Sequence, residues 1–120
     1  MYPVLRITAA ALCLAGSTVV AQLPTGKPAS TGQRATQQIE IDRFAFQRQS
    51  LSADQGDIIL WINRDIVPHT VTDGGGAFDS GSLAPGASWK LVAKTAGTYH
   101  YICTLHPNMV GTLIVRPAKE

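Results

Sequence analysis

Gly97-Thr98-Tyr99-His100-Tyr101-Ile102-Cys103-Thr104-Leu105-His106-Pro107-Asn108-Met109 is the stretch on which the reading of this chain turns. Side chains of an extended strand alternate between its faces, so Tyr99, Tyr101 and Cys103 share one face while His100 and Ile102 share the other. A strand that buries Tyr101 therefore also points Cys103 inward at its end. An imidazole and a thioether then follow in the order Cys-x2-His-x2-Met. Pro107 and Asn108 are turn formers, expected to reverse the chain between these donors.

One thiolate, two imidazoles and a long axial thioether contact make up the donor set of blue-copper electron-transfer sites. Cys103, His106 and Met109 supply three of the four, and the second imidazole has to come from elsewhere. His69, in Val67-Pro68-His69-Thr70-Val71, is the candidate. Taken singly, a cysteine or a methionine near a strand end is ordinary core filler; the order and spacing of all four point to a metal. Zinc would also accept one thiolate and two imidazoles, but a thioether in fourth place is a soft ligand that favours copper. His100, the remaining histidine, has the opposite parity to Cys103 and is expected to face away from the site.

The segments Trp61-Ile62-Asn63-Arg64-Asp65-x2-Pro68-His69-Thr70-Val71 and Gly97-Thr98-Tyr99-x-Tyr101-x-Cys103-Thr104-x-His106-Pro107-x-Met109-x-Gly111 resemble the small cupredoxins, from about Ile39 to Val115. Among them the loop is most similar to that of the amicyanins, which has this length, whereas plastocyanin and azurin loops are longer. The resemblance implies an all-β, antiparallel Greek-key β-sandwich with one type 1 copper ion held by His69, Cys103, His106 and Met109. Two positions depart from the pattern: Thr70 stands where many cupredoxins have an asparagine that ties the ligand loops together, and His100 where amicyanin-like sequences often have an acidic residue. Thr70 and Thr104, each beside a ligand, are candidates to hold the two loops by hydrogen bonds.

The rest of the chain fits a single small exported domain. Residues 1–21 read as a secretory signal: Arg6, an apolar run, then Val19-Val20-Ala21 with small residues where cleavage would fall. The run is short of the roughly 20 residues needed to span a bilayer, and an uncleaved membrane anchor is the alternative to a cleaved signal. Cleavage would leave Cys103 as the one cysteine of the mature chain, and a lone thiol in an oxidising compartment is a liability unless buried or metal-bound. Residues 22–36, with two Pro, two Gly and four Thr or Ser, read as a flexible leader. Residues 37–120 form the expected domain. Ten Lys and Arg less Arg6 leave nine against eight Asp and Glu, which offers no basic stripe for nucleic acid and no polybasic face for lipid.

Within the domain, Ile39 and Ile41 alternate with Glu40 and Asp42 as in an edge-type strand, and Ile58-Ile59-Leu60-Trp61-Ile62, apolar on both parities, reads as a strand central in its sheet. Asp54-Gln55-Gly56-Asp57, Asp73-Gly74-Gly75-Gly76 and Ala84-Pro85-Gly86 read as turns. Phe78 is expected to plug the core, Trp89 and Leu91 to flank Lys90 in a further strand, and Thr112-Leu113-Ile114-Val115 to close the domain. The expected function is one-electron transfer by a periplasmic or secreted monomer that is not an enzyme, with a redox partner protein and no stable insertion in a membrane. A copper carrier or sensor without a redox role is the alternative. The resemblance also implies that the His106 edge reaches the surface in an apolar patch, for which Val67, Pro68, Pro85, Leu105 and Pro107 are available.

Overall fold

The computed structural model describes residues 34–118, together with Gly16. Apart from Gly16, the segment read as a signal lies outside the described residues, as do all but the last residues of the leader. None of the described residues is helical, and no helix among them is long and apolar enough to cross a membrane.

Alternation sets which face of each strand is buried. In β1 (Thr36–Asp42) Ile39 and Ile41 lose all their exposure, and in β4 (Ile58–Asn63) Ile59, Trp61 and Asn63 do so while Ile58, Leu60 and Ile62 stay half-buried on the other face. Burying an aliphatic side chain of this size stabilises by about 1.5–3 kcal/mol, which fixes the face that turns inward. β1, a two-residue β2 (Ala45–Phe46), β4 and β6 (Ser88–Val92) form one sheet in the order β2-β1-β4-β6. The second sheet contains β3 (Ser50–Asp54), β5 (Thr72–Asp73), β7 (Gly97–Cys103) and β8 (His106–Arg116), in the order β3-β8-β7-β5. β4 lies between β1 and β6, as its two apolar faces require.

The sandwich is mixed where an antiparallel one is expected. β1 pairs in parallel with β4, and β3 in parallel with β8, while the remaining ladders are antiparallel. Between β1 and β4 the chain crosses to the opposite sheet as β3 and comes back, two reversals that restore the starting direction. Strand text records which face is buried; it does not record the neighbour or its direction.

A cluster of aromatic residues fills the space between the sheets. Trp61 packs against Tyr101 with ring centroids 5.6 Å apart, Tyr101 against Phe46 at 4.8 Å, and Trp61 against Trp89 at 5.5 Å. Phe78 closes the side, 6.3 Å from Trp61 and 5.8 Å from Tyr99. Asp57 terminates the lower turn by accepting from Ala35 N and Asp54 N at 3.0 and 2.9 Å.

Candidate metal centre

β7 and β8 bring the donors together through an irregular ladder. The register runs regularly to Ile102↔Val110 and then jumps to Cys103↔His106, leaving Pro107, Asn108 and Met109 without partners on β7. The chain reverses at Thr104-Leu105, and Pro107 and Asn108 lie within β8. The turn is therefore earlier than the proline and asparagine suggest. Cys103 is committed to the inward face by its parity with Tyr101, both fully buried, so the reversal has to follow it at once to bring His106 back. His100 is exposed on the outer face, its Nδ1 3.2 Å from Thr112 Oγ1, as its parity requires.

His69 arrives from the segment after β4. It forms an isolated bridge with Leu83, donating its N–H to Leu83 O at 3.1 Å and accepting from Leu83 N at 2.7 Å. Its ring is fully buried, with Nδ1 3.6 Å from Cys103 Sγ. His106, half-buried, brings its Nδ1 to 3.7 Å from the same sulfur. The donor atoms of His69, Cys103 and His106 all fall within 4.8 Å of one another. An imidazole nitrogen at about 2.0–2.1 Å and a thiolate at about 2.3 Å from one ion would stand about 3.5–3.8 Å apart at angles of about 110–120°, the spacing of both nitrogen–sulfur pairs here. The three side chains thus fit a single metal ion in the spacing they already have. Met109 is buried in the unpaired part of β8, three residues after His106.

Two residues orient these donors without being donors themselves, and sequence reading misses both. Asn63 is fully buried; its Nδ2 donates to Val67 O at 2.8 Å and to Leu83 O at 2.9 Å, while its Oδ1 accepts from Asp65 N at 2.9 Å. It pins the segment leading to His69 against the residue that bridges His69. Asp65 Oδ2 lies 2.7 Å from His69 Nε2, which assigns the ring proton to Nε2 and leaves the Nδ1 lone pair facing Cys103. Burial opposes ionisation of Asp65, but donors from Phe44 N, His69 and Arg43 N outweigh it, and the carboxyl is held below the usual carboxylate range. A carboxylate four residues before a histidine is the signal that could have found it.

Thr70 ties the loops, as its position suggests. Its N–H points at Cys103 Sγ at 3.3 Å, and its Oγ1 accepts from Thr104 N at 2.8 Å and meets Thr104 Oγ1 at 3.1 Å and Thr72 Oγ1 at 3.0 Å. The exposed apolar side chains at this end include Leu105, Phe44 and Ile66. Leu105 is an expected member of the patch; Phe44 and Ile66 are additions. Phe44 packs edge-on to both imidazoles, 5.7 Å from His69 and 5.1 Å from His106 between ring centroids.

Two facing sheets with a thiolate and two imidazoles converging at one end define a small copper-binding β-sandwich of the cupredoxin class. Residues 33–116 match the model of copper binding proteins of the plastocyanin/azurin family, and the chain belongs to that family. It is 30% identical to the amicyanin of Paracoccus denitrificans over 102 residues, covering 79% of this chain and 78% of that protein. It is also 31% identical to the plastocyanin of Prochlorothrix hollandica over 102 residues, covering 72% and 78%. A solved Cu(I) amicyanin variant superposes with a TM-score of 0.64 at 29% identity, over 68% of this chain and 83% of that one. The chain is an amicyanin-like cupredoxin.

Proposed function

We propose that this protein is a one-electron carrier, not an enzyme, working outside the cytoplasm through one type 1 copper ion. The observation that carries the reading is the convergence of His69 Nδ1 and His106 Nδ1 on Cys103 Sγ at 3.6 and 3.7 Å. In this reading His69, Cys103, His106 and Met109 would hold the ion. Bound copper would supply the Cu(II)/Cu(I) couple.

The chain's own residues do the rest. Cys103 is buried and held by the Thr70 N–H, so its sulfur is kept from oxidants while remaining available to metal. His69 is fixed at both ring nitrogens. His106 is the half-exposed ligand and the nearest to a docked protein, with Phe44, Ile66 and Leu105 exposed at this end. A small, weakly charged apolar contact suits a brief encounter with a redox partner protein. Residues 1–21 are proposed as the export signal and the residues from 22 as a leader that ends where Ala35 and Thr36 join the domain through Asp57 and β1, ahead of a monomer in the periplasm or secreted.

The test is the mature protein loaded with copper. It should be blue, bleach on reduction and cycle reversibly in voltammetry. Cys103→Ser should abolish the colour, Met109→Gln should keep a coloured site with a lower potential, and His100→Ala should leave the spectrum alone where His69→Ala does not. A colourless complex, or zinc retained against excess copper, would refute the type 1 assignment. Ready release of copper on reduction would favour a copper-delivery protein.

A further inference from the structure

The hairpin between β1 and β2 has a two-residue loop, since Asp42 pairs with Ala45, and the loop residues are Arg43 and Phe44. Both have positive φ, 53° and 56°. Two-residue hairpins adopt this left-handed pair because it matches strand twist, and Asn-Gly or Asp-Gly normally fills it. A Cβ in that conformation crowds the following carbonyl, so Arg-Phe is a poor choice for the turn. A bulky residue held at positive φ by its surroundings is a sign of function.

Asp65 holds the turn in place. Its Oδ1 accepts from Arg43 N at 2.8 Å and its Oδ2 from Phe44 N at 2.9 Å, and that same Oδ2 takes the His69 Nε2–H. One carboxylate therefore fixes both the strained loop and a ligand ring. The Phe44 ring is thereby set edge-on to both imidazoles, at 86° to His69 and 75° to His106, while still 53% exposed on its other side. His69 is already locked by its bridge to Leu83 and by Asp65. His106 is different: among the described residues nothing holds its Nε2, and of the two rings packed against it, His69 at 4.9 Å and Phe44 at 5.1 Å between centroids, Phe44 is the one outside the donor set.

We propose that Phe44 is the positioning residue for His106, a lid whose ring limits rotation and departure of that imidazole and keeps water from the pair. The strained turn is retained because a residue with a ring is needed at its second position. The proposal rests on the reading of His106 as a ligand.

The experiment compares the native full-length chain with Phe44→Gly, Phe44→Ala and Phe44→Tyr. Glycine accepts the left-handed φ, so Phe44→Gly removes the ring while relaxing the turn, and its melting temperature should exceed that of Phe44→Ala. Carbon-13 relaxation of the imidazoles, in metal-free and Cu(I)-loaded protein, should show the His106 ring loosened in Phe44→Gly with His69 unchanged. Transfer of Cu(I) to a chelator should be several-fold faster, and Phe44→Tyr should restore both properties. A His106 ring as ordered in Phe44→Gly as in the native chain would overturn the proposal, as would Phe44→Gly melting below Phe44→Ala. The metal-free arm reads Phe44 whatever the copper-loaded protein proves to be, so failure of the copper assignment would be seen separately, as a protein that is not blue.

Discussion

The ring of Tyr101 occupies the space in which residue 111, were it not glycine, would carry its side chain. The two are directly opposed on β7 and β8, and a Cβ on Gly111 would come within 2.5 Å of Tyr101 Cε2 and Oη and closer still to Cζ. Only glycine lets this ring lie across β8 and reach Phe46 and Trp61. Gly111→Ala should therefore force the ring or the strand to move, at a cost of about 1–3 kcal/mol. Chemical denaturation of the metal-free protein measures it. Adding Tyr101→Leu should make the two losses less than additive, because the clash is shared; strict additivity would mean that the ring and the glycine act independently.

Tyr101 also sets a limit at alkaline pH. Burial raises its phenol above the usual value, and nearby Trp61 eases ionisation only in part. Trp61 Nε1 and Tyr101 Oη are both buried without a hydrogen-bond partner of good geometry. A phenol whose folded value is raised stabilises the fold fully below the unfolded value of about 10, and this contribution is lost as pH rises through the folded value. Stability of the metal-free protein should thus fall above about pH 10, and the ultraviolet titration should show one tyrosine ionising late. Tyr101→Phe should flatten that fall; an equal fall in the variant would assign it to other groups.

Thr70 should be replaceable by serine and not by valine. Its Oγ1 has contacts to Thr104 N, Thr104 Oγ1 and Thr72 Oγ1. Valine keeps the shape but takes the acceptor from Thr104 N and the partner from Thr104 Oγ1, while Thr72 Oγ1 keeps Asp79; leaving the part-buried Thr104 groups unpaired costs about 1–3 kcal/mol. The expected result is a lower denaturation midpoint for Thr70→Val, with a broadened or shifted visible band once copper is loaded, and near-native behaviour for Thr70→Ser. Equal midpoints for both would show that the loops are held by other contacts.

Much of this site is legible in the sequence because strand parity and ligand spacing are local. The alternation of Tyr99, Tyr101 and Cys103 is enough to send Cys103 inward and His100 outward. The direction of β4 beside β1 is not legible, since it depends on where the chain returns after β3. The turn at Thr104-Leu105 is hidden for a related reason: Pro107 and Asn108 carry the local turn preference, but the pairing of Cys103 with His106 closes the reversal before them and leaves them in the unpaired part of β8. The hairpin at Arg43-Phe44 lacks any glycine or asparagine, and it forms because Asp65, 21 residues beyond Phe44, accepts both of its N–H groups. Asn63 likewise reads as the end of an apolar strand, and only its three partners show it to be a hub.

Asp65 should matter for metal affinity more than its distance from Cys103 suggests. Its two oxygens accept from Arg43 N, Phe44 N and His69 Nε2. Asp65→Asn leaves one acceptor oxygen for three donors and places an NH2 against one of them. Hydrogen bonds to charged groups are worth about 1.5–3 kcal/mol each, so a loss of about that size is expected in the stability of the metal-free chain. The His69 ring is affected as well. With the carboxylate gone, the proton is no longer confined to Nε2, and a fraction of rings would carry it on Nδ1, where it blocks the lone pair that faces Cys103. Nitrogen-15 shifts of His69 in the metal-free protein should show Nε2–H alone in the native chain and a mixture in Asp65→Asn. Metal affinity, measured by competition with a chelator, should fall by about 10–100-fold, the usual effect of losing a partner of a ligand histidine. A single Nε2–H tautomer retained in Asp65→Asn, with affinity unchanged, would show that the Leu83 bridge alone orients the ring.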